Sequence, residues 1–162
     1  MFEMLEWLEG TALGGIARES LYGFQILVAI HIVGLMFSVG TLLWVDLRML
    51  GICLTGSRLS TVYRALSKWF TVGFGVMFLS GIALFAGFAT SAYENTYFRI
   101  KIVVIMLAGI NAIAFHTMVK KLPGDMDTAD RPPVTIRLAG FASIVFWASV
   151  IFCGRMISYT LF

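Results

Sequence analysis

The chain has 162 residues, of which 59% are hydrophobic and only 13% charged. A soluble domain of this size must turn a large polar surface to water, so the composition excludes one, and it excludes intrinsic disorder as well. The length suffices for about four membrane-spanning helices of ~20–25 residues with short loops. The net charge of +3 rests on scattered basic residues rather than on the dense patch that nucleic acid requires, so no nucleic-acid partner is expected.

Residues 2–17 read as a short amphipathic helix. Leu5, Leu8, Ala12 and Ile16 recur at helical spacing, and Trp7 suits a membrane interface. Glu3, Glu6, Glu9 and Glu19 against a single Arg18 give this segment the wrong sign for a signal peptide. Its acidic face disfavours anionic lipid, so it is expected on the outer face, against the bundle or on a partner. Ser20 is the expected N-cap of the next helix.

The first span runs from about Leu21 to Val45, with Asp46 and Arg48 at its end and a break at Gly51 and Gly56. Residues 57–68 are amphipathic, with a stripe of Leu59, Val62, Tyr63 and Leu66, and are expected along the interface. The second span covers residues 69–89. Asn95 offers an N-cap to the third, residues 97–119, closed by Lys120 and Lys121. Residues 122–133 (LPGDMDTADRPP) form a loop, and the fourth span covers 136–159. The expected fold is all-α: an integral membrane four-helix bundle in a single domain, with a short amphipathic N-terminal helix.

Basic residues set the topology. Arg48, Arg58, Arg64, Lys68, Lys120, Lys121, Arg131 and Arg137 fall on one side, and Arg18, Arg99, Lys101 and Arg155 on the other. This predicts a multi-pass membrane protein with both termini outside and the first and third loops cytoplasmic.

The candidate site residues lie within the spans. His31 shares a face with Gly34 and Ser38, and His116 shares one with Gly109 and Ala112. Each histidine thus looks across a groove of small residues, which serves either helix contact or a flat cofactor such as haem b. Measured from the caps at Ser20 and Asn95, the histidines differ in depth by ten residues, or ~15 Å. That offset disfavours one haem between them. Arg99, Lys101 and Arg155 near the outer side are candidates for haem propionates, a quinone head group or phospholipid, or they simply snorkel. Asp46 and Arg48 are expected to pair with Arg64 or Lys68 as a structural latch, and Asn111 to bond a neighbouring helix. Cys53 and Cys153 read as small apolar residues. The sequence offers no zinc cluster, mid-span carboxylate, nucleotide loop or catalytic triad. Met36, Met77, Met106 and Met156 fall on four different spans and make no copper(I) site. No enzymatic chemistry is expected.

The segments IHIVGLMFSVGTLLWVDLRMLG (30–51), NTYFRIKI (95–102) and AGINAIAFH (108–116) resemble a family of small bacterial inner-membrane proteins of unassigned function. In size and layout the chain is also similar to copper-resistance D-type membrane domains and to cytochrome b561-type bundles. The looser likeness implies haem or copper handling. Three functions follow as expectations. The first is a haem-b-binding electron-transfer or accessory subunit of a larger membrane complex or homo-oligomer. The second is a transporter or insertion factor for copper or a small solute. The third is a structural helix-packing subunit.

Overall fold

The computed structural model describes residues 2–18, 20, 22–121 and 123–161. Met1, Glu19, Leu21, Leu122 and Phe162 lie outside the described residues, and with them the expected start of the first span and of the long loop. The described residues form eight helices and no strand. Four of the helices are long and apolar enough to cross a bilayer: α3 (Gly23–Leu50), α4 (Leu59–Gly87), α6 (Thr96–Lys120) and α8 (Val134–Leu161). At 1.5 Å per residue they measure about 37–44 Å, longer than the ~30 Å hydrocarbon layer. The protein is a multi-pass membrane helical bundle.

The short helices lie at the two ends. At one end, α1 (Phe2–Glu9), α2 (Ala12–Arg18) and α5 (Ala89–Glu94) pack on the bundle rather than trailing from it. The predicted helix over 2–17 is broken at Gly10 and Thr11. Glu9 Oε1 accepts from the Thr90 amide at 2.8 Å, and Phe2 meets Tyr93 edge to face. At the opposite, basic end, α7 (Gly124–Thr128) forms within the segment predicted to be a plain loop.

Three expected boundaries are corrected. Residues 59–68 are not a separate interfacial helix: α4 runs unbroken from Leu59 to Gly87. The stripe Leu59, Val62 and Leu66 continues at helical spacing through Phe70 and Gly73 to Met77, so one buried face serves the whole helix. The first span passes Val45 and ends at Leu50, where Gly51 takes φ 73°, the left-handed conformation of a helix C-cap. Ser20 does not cap α3. Tyr22 holds the N-cap position without a side-chain bond. Asn95 caps α6 as expected, its side chain accepting from Tyr97 and Phe98 amides.

In the bundle α3 packs on α4 and on α8, and α8 packs on α6. Aromatic pairs join α4 to α6 at both ends: Phe85 stacks on Phe98, and Tyr63 meets Phe115. One apolar cluster around Met49, Leu59, Phe115 and Ile136 fills the basic end, and a second around Met77, Ala108 and Trp147 fills the middle.

Candidate functional site

His31 is half-buried on α3, and its Nδ1 lies 3.1 Å from Ser80 Oγ on α4. The Ser80 hydroxyl also lies within donating distance of Val76 O, at 2.7 Å, and of Met77 O, at 3.1 Å. Gly81 makes room for the ring: a β-carbon there would stand 3.2 Å from His31 Cε1. Lys101 is the sixth residue of α6, and His31 is the ninth of α3, so both lie toward the same end of the bundle. The Lys101 ammonium lies over Gly154 of α8, where a β-carbon would be 3.6 Å from Nζ. All four long helices thus contribute to one cluster in the half of the bundle nearest α1, α2 and α5. Among the described residues Lys101 makes no hydrogen bond and no ion pair. Glu9, at that end, is engaged by Thr90 and Arg18.

The structure separates the other candidates from this cluster. His116 is exposed near the basic end of α6, its Nδ1 2.8 Å from Tyr63 Oη. Ser80 and Tyr63 are seventeen positions apart on α4, which sets the two histidines about 25 Å apart along the bundle. One iron cannot take both as axial ligands. Gly34 and Ser38 face α4, whose backbone fills the groove that a flat cofactor would need: a β-carbon on Gly34 would be 2.6 Å from Met77 N. Arg99 lies over the Tyr93 ring and donates to Tyr93 O. Arg155 lies over the Tyr159 ring and donates to its hydroxyl. Of the seven expected site residues, His31 and Lys101 lie in the same half of the bundle, each against a glycine of a neighbouring helix.

Two buried charges behave differently from expectation. Arg48 is fully buried, and neither Arg64 nor Lys68 meets it or Asp46. Its Nε donates to Ser57 O at 2.9 Å and its Nη2 to Ala129 O at 3.1 Å, so the latch exists but closes on two loop carbonyls. Asp46 is only 2% exposed and accepts from Ser143 Oγ of α8 at 2.7 Å. Ser143 is nine residues into α8, about 14 Å from its start. Asp46 is thus buried between α3 and α8, four residues before the end of α3. The signal for it was the polar Ser143 in the fourth span. Asn111 behaves as expected, donating to Ala139 O of α8 at 3.0 Å. Both cysteines are free thiols, Cys153 buried and Cys53 half-buried. Among the described residues no three potential ligands cluster as a metal site.

A profile described as a family of unknown function (DUF6644) matches residues 4–160. The chain belongs to that family. Searches of curated proteins and of solved structures each gave no match. The likeness to copper-resistance D-type and cytochrome b561-type bundles finds no support in these comparisons. For this family member, function has to be argued from the His31 cluster itself.

Proposed function

We propose that the chain is a non-catalytic binding subunit of the bacterial inner membrane that holds the head group of a hydrocarbon-chained oxygen acid between its helices, in the outer half of the bilayer. The observation that carries this reading is that His31 and Lys101, from α3 and α6, lie in the same half of the bundle, each against a glycine of a neighbouring helix, Gly81 and Gly154. Lys101 donates to an oxyanion or carbonyl oxygen. His31 Nε2 accepts from a hydroxyl. A quinone/quinol and a fatty acid share that chemistry, and the quinone would make the chain a small electron-transfer accessory. The orientation rests on seven exposed basic side chains at one end, Arg58, Arg64, Lys68, Lys120, Lys121, Arg131 and Arg137, which by the positive-inside rule face the cytoplasm and put both termini outside.

The test is purification in mild detergent followed by solvent extraction and binding of two probes, a long-chain benzoquinone and oleate. The wild type is expected to retain one of them, and His31→Ala or Lys101→Met to lose it at least tenfold. Equal retention by wild type and Lys101→Met overturns the reading. One specific observation favours a second reading: a ring nitrogen bonded to a neighbouring side chain, as His31 Nδ1 is to Ser80, is also how a metal-bound histidine is held. A haem band in the reduced-minus-oxidised spectrum that His31→Ala abolishes would select it.

A further inference from the structure

A groove of about 150 Å³ runs between α3 and α8 on the outer surface of the bundle, toward its basic end. Its walls are Val39, Leu43, Ile144, Ala148 and Ile151, with the indole of Trp147, and its single ionisable side chain is Asp46. Leu43 and Ile151 are exposed, so the groove opens to lipid. Ser143 holds Asp46 Oδ2. Oδ1 has no protein partner among the described residues, and no lysine or arginine among them pairs with this carboxyl. Arg48, two residues on, is turned away to Ser57 and Ala129. A carboxyl within a membrane helix is costly without a partner and is retained where it has work to do. The groove is well below the ~300–1,000 Å³ of pockets that enclose whole drug-sized ligands. It fits a head group whose tail lies along the helices in lipid.

We propose that this groove binds an alkylammonium amphiphile: the cationic head group meets Asp46 Oδ1 beside the Trp147 indole, and the hydrocarbon tail follows Leu43 and Ile151. Charge complementarity sets the choice, because a carboxylate attracts a cation and an indole ring adds a cation–π contribution. The site is distinct from the His31 cluster, fifteen residues away along α3, and does not rest on that reading.

Trp147 supplies the readout. With Trp7, Trp44 and Trp69 replaced by phenylalanine, Trp147 is the one remaining tryptophan. The protein in phosphatidylcholine nanodiscs is titrated with 12-bromododecylamine and with 12-bromododecanol, whose bromine quenches nearby indole fluorescence. The amine is expected to quench saturably at concentrations at least tenfold below the alcohol. Asp46→Asn keeps an acceptor for Ser143 and is expected to abolish that preference. Ala148→Phe fills the groove without touching the carboxyl and is expected to do the same. His31→Ala is expected to leave the preference intact. Equal quenching by amine and alcohol in the parent overturns the proposal, as does an unchanged preference in Ala148→Phe. The second variant decides the matter even if Asp46→Asn fails to fold.

Discussion

Gly34 and Gly73 face each other so closely that neither has room for a side chain. A β-carbon on Gly34 would stand 3.0 Å from Gly73 O, and one on Gly73 would stand 2.9 Å from Gly34 O. This is a close line of contact between α3 and α4, and it exists because lipid gives helices no hydrophobic reason to associate, so packing must supply it. Gly34→Ala and Gly73→Ala are each expected to destabilise the bundle by roughly 1–3 kcal/mol through overpacking. Gly40 and Gly109 lie on the same kind of helix with nothing within 4 Å of the added carbon. Alanine there is expected to be neutral, or stabilising by up to about 1 kcal/mol. Thermal unfolding in detergent of all four variants checks the contrast. Equal shifts would show that helix propensity, not contact, controls the response.

That packing role was legible in part. The small residues at positions 34 and 38 share a helical face, and Asn95 announces a helix start by its own chemistry. Long apolar runs, Gly51 and the stretch 122–133 marked the four long helices and their ends. What the chain does not encode locally is where flexible side chains turn. Arg99, Lys101 and Arg155 have the same charge and similar depth. Arg99 and Arg155 find aromatic rings near them in sequence, while Lys101 turns to Gly154, fifty-three residues away. The end of the first span was placed too early for a related reason. How far α3 continues beyond Val45 is fixed by contacts with Gly140 of α8 and the carbonyls that Arg48 engages.

His31 and His116 answer to the same helix at opposite ends, through Ser80 and Tyr63. Sites that far apart with no shared partner are expected to be additive within about 0.5 kcal/mol. In a double-mutant cycle, His31→Ala, His116→Ala and the pair are therefore expected to show no coupling in thermal stability. His116→Ala alone is expected to have the smaller effect, since its side chain is exposed. A coupling well above that limit would mean the two histidines hold something in common.

Arg48 ties the segment 51–58 to the segment 123–133 by way of Ser57 O and Ala129 O. A guanidinium fork reaches two carbonyls at fixed angles; a lysine ammonium does not. Arg48→Lys and Arg48→Met are both expected to loosen the first segment. Hydrogen bonds of a charged donor contribute about 1.5–3 kcal/mol each, so local opening should rise at least roughly tenfold. Cys53 reports it directly, being half-buried in that segment. In a Cys153→Ala background, maleimide labelling of Cys53 is expected to speed up by about that factor. An unchanged labelling rate would show that the segment is held without Arg48.

The N-terminus of α4 is capped from the far side of the chain. Arg58 occupies the N-cap position and offers no side-chain bond. Asp127 of α7 takes over: its Oδ1 accepts from Ser60 N at 2.8 Å and its Oδ2 from Ser60 Oγ at 2.6 Å. A buried carboxylate at a helix N-terminus satisfies a free amide and meets the positive end of the helix dipole. Asp127→Ala removes both effects and is expected to destabilise by about 1–2 kcal/mol, in the range of a lost N-cap. Asp127→Asn keeps an acceptor for the amide but loses the charge, and should lie between the alanine variant and the wild type. Ser60→Ala keeps the amide bond and loses only the hydroxyl contact, so it should be the mildest of the three. Denaturation in mixed detergent micelles gives the order. If Ser60→Ala matches Asp127→Ala, the hydroxyl contact carries the effect and the carboxylate is not acting as a cap. If the order holds, α7 folds over the basic end because α4 needs an acceptor that its own N-cap residue lacks.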